Sequence, residues 1–360
     1  MTIKSPLLSR PGAVEAGGAD SGVASHYGEP LREQRALAAG TAVVDLSHRG
    51  VVTVTGPDRL SWLNTLSSQQ VTGLLAGQST ELLLLSVQGR IEFDARVVDD
   101  GGTTWLIVEA AEAGPLAEWL TKMKFTLRVE VADVSADWAV LGLTRAVEEW
   151  SALQVWEDPW PHIGAGGYAY TVVDEDAHPG LERPWFEYLV PVADLEATLG
   201  ERPLAGIWAA EALRIAAWRP RLGAETDDKT IPHELDLLRT AVHLSKGCYK
   251  GQETVARVHN LGHPPRRLVF LQLDGSQHTM PEAGSEVLLG ERKVGVVTSV
   301  AQHYEMGPVA LAVIKRSVAP DEILTIMDGD EPYTAAQEII VAPDAGQVVG
   351  RQTGFLRGTR

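Results

Sequence analysis

The chain has 360 residues, 44% of them hydrophobic and 22% charged, with 31 Lys and Arg against 48 Asp and Glu, a net charge of −17 and a single cysteine. That apolar fraction excludes disorder over most of the chain. One thiol excludes an internal disulfide framework and a resident iron–sulfur cluster, which takes about four cysteine ligands. The acidic balance excludes a general nucleic-acid or anionic-membrane binder, and the length predicts two or three domains.

Residues 1–30 are rich in Gly, Ala, Ser and Pro without a period, and are expected to form a flexible lead-in. They lack the apolar core of a signal peptide, and the longest apolar runs, 82–85 and 309–314, fall far short of the ~20 residues that span a bilayer. A cytoplasmic protein with no membrane partner is the expectation. Regular structure is expected from near Leu37, with β-type runs at 42–46 and 51–55 ended by Gly56-Pro57-Asp58. Leu60, Leu63 and Leu66 make 59–66 a short amphipathic helix. Runs at 82–87 and 96–98 read as a hairpin, 103–109 as a strand and 115–124 as a helix. Strands at 129–134 and 138–143 close a first α+β subdomain over 31–145.

A second α+β subdomain is expected over 146–264. It opens on a loop containing Trp156, Trp160 and the Gly164–Gly167 cluster. Strands follow at 168–173 and 185–190, then helices at 192–199 and 207–218, the second stopped by Pro220. From 265 the character changes. Short β runs at 268–273, 286–289, 294–300, 309–314 and 323–326, punctuated by Gly, Pro and Asp, predict a small antiparallel barrel over 265–350, with 351–360 as a tail.

The most informative stretch is Lys246-Gly247-Cys248-Tyr249-Lys250-Gly251-Gln252-Glu253. Two glycines bracket the only cysteine, and a helix is expected from Gln252. A thiol ahead of a helix N-terminus with lysines on both sides favours its thiolate form. From 240 to 267, Lys246, Lys250, Arg257, Arg266 and Arg267 stand against Glu253 alone, a basic island in an acidic chain. The competing reading is a buried filler cysteine with solvated lysines.

Residues 246–253 resemble the signature of the YgfZ family, folate-binding relatives of the T-protein (aminomethyltransferase) of the glycine cleavage system. The stretches 44–50, 54–58, 231–235 and 295–299 are similar to superfamily segments as well, so the resemblance covers roughly residues 37–328. It implies a three-part, ring-like aminomethyltransferase fold, α+β with a C-terminal barrel, around a cavity holding tetrahydrofolate or a one-carbon derivative. It further implies an accessory role in iron–sulfur cluster assembly or repair, with transient contacts to client or assembly proteins. On this resemblance Cys248 is the functional thiol at the cavity mouth, with Lys246 and Lys250 lowering its pKa.

The same resemblance assigns Asp94, Glu187, Arg214, Tyr249, Gln252 and Glu253 to folate. The T-protein carries two adjacent acids in the turn that matches residues 89–94. Here the first is replaced by Phe93, which cannot exchange a proton, and only Asp94 is kept. A non-catalytic binding factor is therefore expected, the alternative being a folate-dependent aminomethyltransferase or related one-carbon transferase. Glu187 matches a glutamate that faces the pterin, and an alternating strand places Phe186 and Tyr188 on the opposite face. Arg214 matches a superfamily arginine, although Ala216 stands where an acid is common. Arg219 and Arg221 are candidates for the glutamate tail, and Trp156, Trp160 and Trp185 for stacking on a flat ring. His259 and His263 have metal-ligand spacing, but Gly262 and Pro264 argue against a helix there, and no metal is expected.

Overall fold

The computed structural model describes residues 4–275 and 279–349; the expected tail at 351–360 lies outside the described residues. Residues 4–30 are not a loose leader. Leu7 is 0% exposed and packs with Val190, Leu195 and Leu199. Strand β1 (Val14–Glu15) pairs antiparallel with β2 (Ala24–His26). A Gly/Ala/Ser composition suggested mobility, but a few apolar side chains placed at core positions suffice to pin the segment. Helix α1 (Pro30–Ala38) follows, opening on a proline whose missing N–H costs nothing in a first turn.

The first sheet is built from β-branched and leucine-rich runs. After β3 (Val43–Asp45) come β4 (Gly50–Thr55), α2 (Arg59–Leu66), β5 (Ser79–Leu85), β6 (Ile91–Asp99), β7 (Thr103–Val108), α3 (Ala113–Met123) and β8 (Glu130–Asp133). The sheet is antiparallel in the order β5-β6-β7-β4-β8. One face packs on α2 and α3 through Trp62, Leu63, Leu116 and Leu120. Phe93, Ala95 and Val97 of β6 belong to that face, so the alternating Asp94 and Arg96 point the other way.

A second sheet, in the order β10-β11-β9-β3-β12, uses β9 (Trp138–Leu143), β10 (Gln154–Glu157), β11 (Phe186–Pro191) and β12 (Leu204–Ala205), with α4 (Leu195–Leu199) beside it. β9 pairs with both β3 and β11, so the expected domain boundary at 145 cuts through one sheet. Trp156 belongs to β10, not to a loop. The expected strand at 168–173 is absent, because that backbone bonds instead to the segment at 236–238: Tyr168 N–H donates to Leu238 O and Tyr170 N–H to Asp236.

Helix α5 (Ile207–Ala216) joins the bodies. Ala209, Ala210 and Leu213 pack into the second sheet's core, and Ala212 and Ile215 into the cluster shared with the barrel. After α6 (Gln252–Leu261) the chain forms β13 (Arg266–Leu273), β14 (Glu286–Leu289), β15 (Arg292–His303), β16 (Gly307–Lys315), β17 (Leu324–Asp328) and β18 (Glu331–Ile339), a closed barrel in the order β13-β16-β15-β14-β17-β18. β18 escaped the sequence reading because Glu331, Pro332, Thr334, Gln337 and Glu338 leave it few apolar positions. The unbroken apolar run of β16 is explained by two buried faces. Ala310, Ala312 and Ile314 fill the barrel, while Val309, Leu311 and Val313 pack outward against the rest. No described helix is long and apolar enough to cross a membrane.

If residues 4–26 are integral, Leu7→Ala opens a cavity and lowers the unfolding free energy by about 2–5 kcal/mol. Urea unfolding measures this; a loss near zero would restore the loose-leader reading.

Candidate functional site

The three bodies meet at α5 and the turn after it, which carry Arg214, Arg219 and Arg221, all buried. Arg214 donates to Glu211 at 2.8 Å, Glu225 at 3.0 Å and Ser299 Oγ of the barrel at 2.7 Å. Arg219 reaches Glu81 of the first sheet at 2.6 Å and Asp158 after β10 at 3.2 Å. Arg221 holds Asp20 of the N-terminal segment and Glu109 after β7, each at 2.7 Å. Guanidinium groups suit this because their fixed fork serves several carboxylates at once. Arg219 and Arg221 are thus both held in ion pairs, with only Arg219 Nη1 left without a hydrogen bond, so neither stands as a free cation for a folate tail.

Two spaces adjoin this network. An outer cavity of about 870 Å³ is walled by Asp20, His48, Glu109, Trp208 and Arg221, among others. An inner recess of about 20 Å³ is walled by Arg96, Trp156, Arg183, Trp185 and Glu187, with Arg49 and Glu211 lining both spaces. The recess has room for about one water. Its walls nonetheless hold polar atoms without a hydrogen-bond partner: Glu187 Oε2, Arg49 Nε, Arg183 Nε and Arg219 Nη1. Buried polar groups are normally satisfied, so this concentration marks a ligand or water position.

Glu187 is 1% exposed and sits on β11, facing away from Tyr188, as the strand alternation predicted. Its Oε1 accepts from Trp185 Nε1 at 3.0 Å, while Arg96 and Arg49 stand off at 3.5 and 4.0 Å. Burial alone would raise this carboxyl, but Arg96 and Arg49 outweigh it and hold Glu187 below the usual range. Each of these tryptophans already carries a guanidinium on one face, Arg183 lying 4.1 Å from the Trp185 ring centre and Arg96 5.6 Å from that of Trp156. Trp160 is buried in the core away from both spaces.

Asp94 is half-buried on the inward face of β6, and its Oδ1 has no partner. Burial, then the neighbouring Glu81 carboxylate, push it up to about 7, against the pull of Arg219 and Arg96. Phe93 packs near Trp119 on the opposite face. An acid at position 93 would therefore point away from this junction, and its loss does not remove a proton-exchanging group from the site.

The signature residues lie elsewhere. None of Lys246, Cys248, Tyr249, Lys250, Gln252 or Glu253 lines either space, which corrects the placement of Cys248 at the cavity mouth. Cys248 is exposed and makes no hydrogen bond among the described residues. The Lys246 ammonium is turned inward onto Asn64 O and Ser67 O at 2.6 Å and Gln69 O at 2.7 Å, and burial pushes it down to about 8. Lys250 pairs with Glu92 at 2.9 Å. Neither lysine bonds the thiol, so the expected activation by them is not built into the loop. Tyr249 is buried under Lys246, Gln252 donates to Lys246 O, and Glu253 is exposed. Of the two glycines only Gly251 needs to be one: its φ is +86° and a Cβ would sit 2.5 Å from Ser86 O, whereas Gly247 has open space.

Arg214 is an ion-pair hub, and Ala216 is not in its partner set. His259 bonds Tyr170 Oη and His263 bonds Ala345 O, so both expected metal-spaced histidines are engaged. Sequence reasoning missed Arg49, Arg96, Arg183, Glu81, Glu109 and Asp158. A charged residue inside a β run, such as Glu81 or Arg96, was the available signal.

Fold and junction together define a three-body α+β scaffold with a closed barrel and a polar cavity where the bodies meet. Residues 24–144 match the GCVT N-terminal domain and residues 266–343 the glycine cleavage T-protein C-terminal barrel domain. The chain belongs to this glycine cleavage T-protein-like superfamily. It is 27% identical over 341 residues to an aminomethyltransferase of Streptomyces avermitilis, covering 88% of this chain and 90% of that protein. It is 25% identical over 344 residues to a chloroplastic Arabidopsis thaliana protein named as a transferase, covering 88% and 77%. The crystal structure of glycine cleavage system aminomethyltransferase T from Bartonella henselae shares the fold, with a TM-score of 0.74 at 18% identity over 94% of this chain and 97% of that one.

Asp94 has a measurable signature. Between its ordinary 3.8 and about 7 the folded chain keeps a proton that the unfolded chain releases, so this group's contribution to stability is lost as pH rises through that window. Asp94→Asn is expected to flatten the stability profile between about pH 4 and 7 and to exceed the wild type above it. Thermal unfolding against pH checks this; an unchanged profile would rule out a proton on Asp94.

Proposed function

We propose that this protein binds tetrahydrofolate, or a one-carbon derivative, at the junction cavity. On this reading it acts in the cytoplasm as a YgfZ-like accessory factor in iron–sulfur cluster assembly or repair of client proteins. The observation that carries the folate part is Glu187 Oε2, a buried carboxylate oxygen at the meeting point of the three bodies with no hydrogen-bond partner, its cation Arg96 standing off at 3.5 Å. An amino-pyrimidine edge offers the N–H donors such an oxygen lacks, and charge-assisted hydrogen bonds of this kind are strong. The outer cavity, about 870 Å³, falls in the range of small-molecule sites, roughly 300–1,000 Å³. The residues fit the ligand chemically, but the recess beside Glu187 is about 20 Å³, so seating a two-ring head there requires the side chains that line both spaces, Arg49 and Glu211, to move. Bound tetrahydrofolate would supply the amines that carry a one-carbon unit; Asp94, on the same strand face as Arg96 of the recess though lining neither space itself, is suited to hold or release a proton at neutral pH.

The accessory role is favoured by the position of Cys248. An exposed thiol on a loop that lines neither space is suited to a protein partner more than to a small molecule in the cavity. The second reading, one-carbon transfer by the chain itself, is favoured by the inward-facing Asp94 and by the aminomethyltransferase relatives.

Titration calorimetry with tetrahydrofolate tests the common element. The wild type is expected to bind saturably and Glu187→Gln about 10–100-fold more weakly, the loss of a charged hydrogen bond; absence of binding by the wild type sinks the proposal. Cys248→Ala separates the two roles. It is expected to keep the fold and folate affinity while cluster-dependent enzymes lose activity in cells. Turnover of an aminomethylated amine that is abolished in Asp94→Asn and intact in Cys248→Ala would favour the transferase.

A further inference from the structure

Nine of the chain's ten tryptophans are buried or half-buried, and Trp208 alone is exposed, at 54%. It is the second residue of α5, between Ile207 and Ala209, each 1% exposed, so the backbone that carries it is fixed in the core. Burial is what an indole ordinarily contributes to a fold, and one left uncovered on a rigid helix is a contact surface for something else. Trp208 lines the outer cavity. Its ring neighbour among the described residues is His26, with ring centres 5.2 Å apart and planes tilted by 45°. Gly18, Ala19, Ala110, Ala111 and Gly114 line the same cavity, and their short or absent side chains leave the indole open.

Resting on the folate reading, we propose that Trp208 stacks on the benzoyl ring of the bound folate and is the residue by which the cavity prefers a complete folate to a free pterin. The position along α5 says why that ring is the one met. Trp208, Glu211 and Ile215 share one helix stripe and all line the outer cavity. Glu211 also lines the recess beside Glu187, whereas Trp208 lines the outer cavity alone. Three residues separate Trp208 from Glu211, about 4.5 Å along the helix axis. A head group held at Glu187 projects its substituent past Glu211 towards the indole, and in a folate that substituent is the benzoyl ring. Contact between two aromatic rings draws on dispersion and on the ring quadrupoles, and it adds to affinity without a charged partner.

The test compares, by titration calorimetry on the full chain, tetrahydrofolate with a tetrahydropterin that carries a methyl group in place of the benzoylglutamate arm. Trp208→Ala is expected to bind tetrahydrofolate about 5–10-fold more weakly and the pterin as the wild type does, while Trp208→Phe recovers tetrahydrofolate binding to within about three-fold. Far-UV circular dichroism checks that both variants fold. Acrylamide quenching of tryptophan fluorescence gives a second readout, because Trp208 is the one exposed indole. Saturating tetrahydrofolate is expected to shield it in the wild type and to change nothing in Trp208→Ala; this readout decides where the pterin binds too weakly to titrate. Unchanged tetrahydrofolate affinity in Trp208→Ala, an equal loss for both ligands, or wild-type quenching unaltered by bound tetrahydrofolate overturns the inference while leaving the folate reading intact. Failure of the wild type to bind tetrahydrofolate overturns the folate reading and this inference with it.

Discussion

The structure depends on one constraint: guanidinium groups buried where three bodies meet must each find carboxylates. Arg214, Arg219 and Arg221 lie within eight residues, yet their partners come from the barrel side, the first sheet, the second sheet's edge and the N-terminal segment. An unpaired buried charge costs several kcal/mol, and removing one partner of such a pair typically costs about 3–5 kcal/mol. The network is satisfied only when all the bodies have assembled. It works as a condition on assembly more than as glue, since well-packed apolar residues in its place would be no less stabilising. It also explains why residues 4–26 are ordered: Asp20 is one of the required carboxylates.

The signature loop is attached to this centre by a continuous run of hydrogen bonds. Lys246 holds Gln69 O, Gln69 Nε2 donates to Thr240 O, Thr240 Oγ1 donates to Glu81, and Glu81 accepts from Arg219. The lysine is thus a clamp on the chain leaving α2, satisfying carbonyls near a helix end that would otherwise lack donors. Gly251 permits the close passage of the loop by Ser86. With one lysine drawn inward and the other paired to Glu92, Cys248 is left exposed. The motif has two parts: residues that fix the loop, and the thiol the loop presents.

What was legible in the sequence follows from local physics. Periodicity located α2, α3, α5, the first sheet and most of the barrel, because amphipathic helices and apolar strands are one-dimensional signals. β18 was hidden by its polar residues, and β10 by the Pro and Trp around it. The site was legible only through resemblance, which named Asp94, Glu187 and Arg214 as folate contacts; the structure turns all three inward. Resemblance also gathered Cys248, Tyr249 and Gln252 into the same site, because adjacency in a motif says nothing about which way a loop faces. Buried arginines cannot be recognised from composition; Arg96 and Arg219 look like any surface arginine until the carboxylates that neutralise them are assigned.

The position of Asp94 changes how the departure at Phe93 weighs on function. On a strand, neighbouring side chains take opposite faces, so of two adjacent acids only one can address the junction. Here that one is kept, and the other position has become part of the α2–α3 core. The carboxyl that remains is shifted by burial and by Glu81, two features of its surroundings and not of its immediate neighbours in the chain. Loss of the first acid therefore gives no ground for calling the chain inert. What distinguishes an accessory factor from a transferase must instead lie in what the two spaces admit, and Arg49 and Glu211 are the side chains that line both.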